Sequence, residues 1–266
     1  MHAVWNTAVK VGKDRLLSAF LIHSTAAIMA AAIMPFVEQP SKDSIELLAF
    51  SLILHSGYRF FLLQSYRVGD LSHVYPIARG TAPLGVAAMS GVAAGEYLTA
   101  AEIAGVAITS LGLFSLSFQR GAAGEKFAAP LIFAVFTGLF IAAYTVVDGL
   151  GVRAAGSAIG YILWLFILDG LILVPFALYL RRGQVTEYLM QNWRPGIVAG
   201  AMSFGAYAIV MWALALGPMV QVAALRETSV IFAAIIGVFF LKERFGLRRI
   251  VAAVTIALGI VVLKTF

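Results

Sequence analysis

The chain has 266 residues, of which 61% are hydrophobic and 12% are charged, and its mean hydropathy of +0.94 is far above that of ordinary soluble domains. The absence of cysteine excludes disulfides and thiolate metal sites. The net charge of +6 does not indicate nucleic acid, because the basic residues lie in short loops between apolar runs, where they set membrane orientation. This composition predicts a helical membrane protein that crosses the bilayer several times.

Apolar runs of about 20 residues, each long enough to cross a bilayer core, follow one another along almost the whole chain. The lack of short alternating strands argues against a transmembrane barrel. In chain order we predict nine spans, at residues 16–37, 45–65, 71–94, 100–118, 128–147, 157–180, 196–216, 219–241 and 247–265.

The N-terminal segment HAVWNTAVK is apolar and amphipathic, but it is too short to span a bilayer. In the second half of the chain it corresponds to residues 142–151, which form the end of a full span. We therefore expect the first helix to be incomplete in this sequence and the intact protein to have ten spans.

An internal repeat relates the two halves of the chain. The tripeptide RGT at residues 79–81 recurs 147 residues later as RET at residues 226–228, and the same offset relates Glu96 to Glu243. A repeat within a hydrophobic chain indicates a transporter whose binding site lies where the repeats meet.

The fold that we predict is an all-α membrane protein built from two inverted five-helix repeats, residues 1–118 and 127–266. An odd number of spans in each repeat places the two halves in opposite orientations. Most loop lysines and arginines fall on one side, which predicts that this side is cytoplasmic and the C-terminus lies outside. We expect a monomer in a bacterial inner membrane.

Charged side chains near the bilayer centre are costly, so each needs a partner or a wet cavity. Arg79 is the leading candidate for substrate binding, because it lies between Pro76 and Pro83, which remove backbone hydrogen bonds and kink the helix. Tyr75 lies one turn before it on the same face. The alternative is a structural arginine that an internal acid such as Asp169 neutralises.

Arg226 is the repeat equivalent of Arg79 and is expected to approach the same midplane from the opposite side. Adjacent helix residues point about 100° apart. We therefore expect one of Arg226 and Glu227 to line the site and the other to pair with a neighbouring helix. Candidates for proton coupling or charge pairing are Glu227, Asp169, Asp148 and His55.

His55, Tyr58 and Arg59 share one helix face at spacing i, i+3, i+4. Such a stripe suits a substrate wall, and it equally suits a polar face packed inside the bundle. Further candidates for the substrate wall are Trp5, Asn6, Tyr144 and Tyr207.

Two stretches of the chain resemble a known family. YRVGDLSHVYPIARGTAPLGVA, with Gly95-Glu96 after it, is similar to the first repeat of EamA-like transporters in the drug/metabolite transporter superfamily, and LKERFGLRRIVAAVTIALGIVV is similar to the second. The resemblance implies ten helices in two inverted repeats around a central cavity. It also implies that the cavity-lining helices carry Trp5, His55, Arg59, Tyr75, Arg79, Tyr144, Tyr207 and Arg226.

The leading functional hypothesis is a secondary transporter of a small metabolite that carries a carboxylate, as an anion or as a zwitterion such as an amino acid. Arginine favours such substrates because its planar fork binds a carboxylate through two parallel hydrogen bonds. The expected partners are this substrate, the lipid bilayer and protons as the coupling ion.

The alternative is a multidrug exporter of lipophilic cations, which would use Asp148 or Glu227 among aromatic walls. A membrane enzyme is disfavoured because no catalytic residues converge in the sequence, and a structural scaffold does not need paired intramembrane arginines. We expect no cofactor, metal or nucleic acid.

Overall fold

The structure is a computed structural model that describes residues 14–117, 128–232 and 247–265. Those ranges hold α-helices and short 3-10 turns and no strand. In chain order the helices are α1 (Arg15–Ile33), α2 (Ile45–Val68), α3 (Leu71–Ala94), α4 (Ala100–Ser115), α5 (Ala128–Ala154), α6 (Ala158–Leu180), α7 (Val185–Leu216), α8 (Met219–Arg226) and α9 (Leu247–Thr265), with 3-10 turns at Met34–Phe36 and Lys42–Ser44.

Five segments of the described chain are long and apolar enough to cross a membrane, and α4 is a shorter apolar helix. The protein is therefore an all-α membrane protein, and these five segments correspond to five of the nine predicted spans. The helices α3 and α9 have the predicted bounds, yet α3 carries Arg79 and two prolines, which lower its apolar content. The five segments are Leu16–Phe36, Lys42–Val68, Ala128–Ala154, Ala158–Leu180 and Val185–Leu216.

Two helices are longer than predicted, one at its end and one at its start. α5 runs to Ala154 rather than to residue 147, and α7 begins at Val185 rather than at residue 196. The extra turns at the start of α7 contain Glu187 and Arg194, so a prediction from hydropathy places the start of the helix where its apolar part begins. Helical hydrogen bonding does not depend on that boundary.

The chain forms two compact units, the first of which combines the described part of Met1–Leu48 with Gly151–Ala215. Within it, Asp14 caps α1 by accepting the N–H groups of Leu16 and Leu17 at 2.9 and 3.2 Å. Its second oxygen lies 2.7 Å from Nε of Arg181. Partial burial raises the pKa of Asp14, but Arg181 and the two capping N–H groups together bring the pKa below its ordinary value.

The second unit combines Ala49–Leu150 with the described part of Leu216–Phe266. In it, α4 and α9 cross so closely that a Cβ on Gly105 would lie 2.8 Å from the carbonyl oxygen of Gly259, and the reverse distance is also 2.8 Å. Leu113, Ile256 and Ile260 fill the rest of this interface. Backbone contact of this kind is typical of helix pairs in membranes, where small residues allow close approach.

Replacing Gly105 or Gly259 with alanine is expected to destabilise the protein by about 1 to 3 kcal/mol, because the added methyl group overlaps the opposing backbone. The measurement is thermal unfolding of the purified protein in detergent. Gly205→Ala is the matched control, since its added Cβ meets no atom within 4 Å. It should leave stability unchanged or raise it by up to about 1 kcal/mol through helix propensity. Equal effects at the three positions would contradict the close crossing.

Candidate functional site

A buried ion pair joins α3 to the segment that follows α8 in the second unit. Nε of Arg79 lies 2.9 Å from Oε2 of Glu227, although the N–H does not point at that oxygen closely enough to form an aligned hydrogen bond. The two residues are 4% and 2% exposed. A charge removed from water to this degree is tolerated when an opposite charge accompanies it, so each residue depends on the other.

The helix that carries Arg226 is interrupted at this ion pair. α8 ends at Arg226, Glu227 forms a turn, and helical structure begins again at residue 228. The N–H of Glu227 donates to Ala224 and that of Val230 donates to Glu227, each at 3.0 Å and each spanning three residues. The span predicted over residues 219–241 is therefore not one continuous helix within its described part.

Arg79 binds both sides of this interruption. Its Nη2 donates to the carbonyl oxygen of Arg226 at 3.2 Å and to Oγ of Ser229 at 3.1 Å. The Val230 N–H, which would bond to the Arg226 carbonyl in a regular helix, bonds to Glu227 instead. The guanidinium of Arg79 thus takes up a carbonyl that the helix interruption releases.

The side chain of Arg226 extends to α5. Its Nη1 donates to Oγ1 of Thr145 at 3.1 Å, and its Nη2 donates to the hydroxyl of Tyr144 at 3.4 Å. Glu227 pairs with Arg79 on α3. The two neighbours therefore divide between different helices, as the 100° rotation per residue predicts.

A second polar cluster lies one turn further along α5. The carboxylate of Asp148 is fully buried, accepts a short hydrogen bond from Oγ of Ser51, and lies 3.1 Å from Nε2 of His55. The ring of His55 stacks on Tyr144, with 4.1 Å between centroids. Tyr58 meets the same tyrosine edge-on at 5.6 Å. Tyr144 consequently contacts Arg226 as well as His55 of this second cluster.

Two other predicted site residues lie beside these clusters. The ring of Tyr75 has its centroid 6.0 Å from Cζ of Arg79, the outer limit of a cation–π contact. Arg59 is half-buried, and its Nη2 lies 3.5 Å from Oγ of Ser56 on its own helix.

The remaining predictions fall elsewhere. Asp169 belongs to the first unit, where it lies 2.6 Å from Nδ1 of His23, so the acid that neutralises Arg79 is Glu227. Tyr207 also belongs to the first unit and meets Phe166 edge-on. Trp5 and Asn6 lie outside the described residues.

Sequence reasoning missed the hydroxyl groups that complete the clusters. Ser51 lies one turn before His55, and Thr145 directly follows Tyr144. Ser229 directly follows the repeated tripeptide RET at residues 226–228. The i, i+4 spacing of Ser51 and His55 was the one signal that could have identified a polar face. In the described ranges, no group of three or more His, Asp or Glu is placed to hold a metal ion.

A helical membrane protein that buries arginines and carboxylates among its helices has the features of a transporter. The sequence profile of the EamA-like transporter family matches residues 128–265, just over half of the chain. The protein belongs to this family, and with it to the drug/metabolite transporter superfamily, which confirms the resemblance seen in the sequence.

Comparison with other proteins adds support for the fold. No curated protein matches the chain. One solved crystal structure, described only as that of a protein, is similar over 99% of this chain and 91% of its own, with a TM-score of 0.77 and 16% sequence identity. Similarity at this level of identity bears on the fold and not on the substrate.

Breaking the buried ion pair should be costly. Glu227→Gln leaves the charge of Arg79 buried without its carboxylate, so we expect a loss of about 3 to 5 kcal/mol in the free energy of unfolding. Removing both charges, as in Arg79→Met with Glu227→Met, should give a protein more stable than the single variant. Chemical unfolding in detergent measures both, with the exposed Glu46→Gln as control. A double variant no more stable than Glu227→Gln would contradict this coupling.

Proposed function

We propose that this protein is a secondary transporter of small metabolites that carry a carboxylate, either anions or zwitterions such as amino acids, and that it works by alternating access. Its family makes it a membrane transporter. The observation that supports the substrate class is the guanidinium of Arg226, which the neutral hydroxyl groups of Tyr144 and Thr145 hold inside the second unit.

Hydroxyl groups are exchangeable partners for a guanidinium. A carboxylate forms two parallel charge-assisted hydrogen bonds with arginine, and these are roughly twice as strong as bonds between neutral groups. A substrate carboxylate would therefore take the place of Tyr144 and Thr145 on Arg226, and the two hydroxyls would remain near enough to donate to the bound carboxylate. Lysine, with a single ammonium group, would not reproduce this geometry.

Arg79 has a different role in this proposal. It is tied to Glu227, to the Arg226 carbonyl and to Ser229, so its donors hold the interrupted helix. We assign it the role of a positioning residue that keeps Arg226 directed at α5. This assignment revises the sequence-based hypothesis in which Arg79 itself bound the substrate.

The inverted repeats, residues 1–118 and 127–266, belong to the same proposal. Arg79 and Arg226 are equivalent under the repeat, and they meet through a hydrogen bond at one turn. Equivalent residues of inverted repeats approach a common midplane, and interrupted helices are typical of transporter sites located there. A bacterial inner membrane and a monomeric state complete the proposal.

Export of lipophilic cations is the second candidate. Asp148 lies beside His55 and Tyr144, and a carboxylate among aromatic rings attracts cations. Arg226, however, contacts the same Tyr144, and its positive charge opposes a cation at that place. The arrangement therefore favours the carboxylate substrate.

A thermal-shift panel distinguishes the two candidates. L-leucine, L-glutamate or succinate, at about 100 times its dissociation constant, should stabilise the folded protein by about 2.7 kcal/mol, and tetraphenylphosphonium should not. Arg226→Gln should abolish the shift and Arg226→Lys should reduce it, because the bidentate fork is lost.

Arg194→Gln, which removes an exposed arginine, is the matched control and should retain the shift. Stabilisation by tetraphenylphosphonium alone would support the cation exporter. A carboxylate shift that persists in Arg226→Gln would place the substrate elsewhere.

A further inference from the structure

The cluster of Asp148, Ser51 and His55 has no part in carboxylate binding as proposed above, although it lies next to the carboxylate site at Arg226. A fully buried carboxylate is costly, and here a serine hydroxyl and an imidazole accompany it. Histidine is the side chain whose charge ordinarily changes near neutral pH. A carboxylate and an imidazole in contact can hold one proton between them, and the pair then changes from a net charge of −1 to 0.

We propose that Asp148 and His55 form a proton-binding site, and that Tyr144 couples it to the carboxylate site at Arg226. The coupling rests on the proposed function, whereas the proton site itself does not. The proton comes from solvent and is shared by Nε2 of His55 and Oδ2 of Asp148, which lie 3.1 Å apart. No other group is consumed or released.

Two other buried acids are less suitable for this role. Glu227 is paired with Arg79, whose charge is permanent, and not with an imidazole that can release a proton. Asp169 pairs with His23 in the first unit, whereas Tyr144 and Arg226 belong to the second. The Asp148 pair is in direct contact with a residue of the proposed substrate site, through the stacking of His55 on Tyr144.

The charges around the pair determine the direction of the coupling. Arg226, on the hydroxyl of Tyr144, opposes a proton on His55, because both would be positive. A substrate carboxylate on Arg226 would cancel this repulsion, so proton and substrate would each favour the binding of the other. The titratable and charged groups on the surrounding helices are Tyr58 and Arg59 on α2, Tyr144 on α5, Tyr75 and Arg79 on α3, and Arg226 with Glu227 at the end of α8.

Proton binding can be measured without a substrate. The purified full chain in detergent is titrated between about pH 5 and pH 8, the range of histidine titration, with a pH-indicator dye in weak buffer. Over this range, His55→Gln and Asp148→Asn should each take up one proton fewer than the wild-type protein. The double variant should lose no more than either single variant, because the two residues share that proton. Asp148→Asn keeps the size of the side chain and a hydrogen bond to Ser51, which protects the fold.

His23→Gln is the matched control, and its effect should add to that of Asp148→Asn, because His23 pairs with Asp169. Equal proton uptake by the wild-type protein and Asp148→Asn would overturn the proton site, as would additive losses in the double variant of His55 and Asp148.

The coupling has its own substrate-free test. Arg226→Gln removes the positive charge that lies beside the hydroxyl of Tyr144. It should move the midpoint of proton binding by His55 and Asp148 to higher pH. Lys264→Gln removes the same charge at an exposed position in the same unit and should leave the midpoint in place. Equal midpoints in wild type and Arg226→Gln would overturn the coupling. Failure of the carboxylate panel is a separate result, which contradicts the proposed substrate and leaves these titrations valid.

Discussion

The ion pair between Arg79 and Glu227 is the constraint on which the rest of the site depends. Two charges that are almost completely removed from solvent persist in an apolar bundle because each compensates the other. The second donor group of Arg79 binds the carbonyl that becomes available where α8 ends. One guanidinium thus offsets a buried carboxylate and also satisfies a carbonyl of the interrupted backbone.

The accuracy of the predicted helix bounds varied along the chain. The bounds of α3 and α9 were predicted correctly, and Gly95 ends α3 in the left-handed conformation that glycine adopts at low cost. The start of α7 was missed because its first turns are polar, and hydropathy detects only what is apolar. The interruption at Glu227 was missed because residues 226–228 contain neither glycine nor proline, and the partner of the released carbonyl is the distant Arg79.

The candidate site shows the same division between local and long-range information. The repeat offset in the sequence selected Arg79 and Arg226 as candidates, and helix rotation predicted different directions for Arg226 and Glu227. Neither rule specifies which buried acid meets which arginine, because that choice depends on how distant helices pack. Asp169 was a reasonable partner for Arg79 by depth alone, but in the structure it meets His23. Tyr144, by contrast, was predicted as a wall residue. In the structure it contacts His55 and Tyr58 on one helix and Arg226 on another.

The central claim is that Arg226 binds the substrate while Arg79 holds the interrupted helix in position. The most direct test is an experimental structure of the protein with the panel compound that stabilises it most. We predict a carboxylate within about 3 Å of both terminal nitrogens of Arg226, with Arg79 still bound to Glu227 and to the Arg226 carbonyl. A carboxylate on Arg79, with Glu227 displaced, would contradict the account.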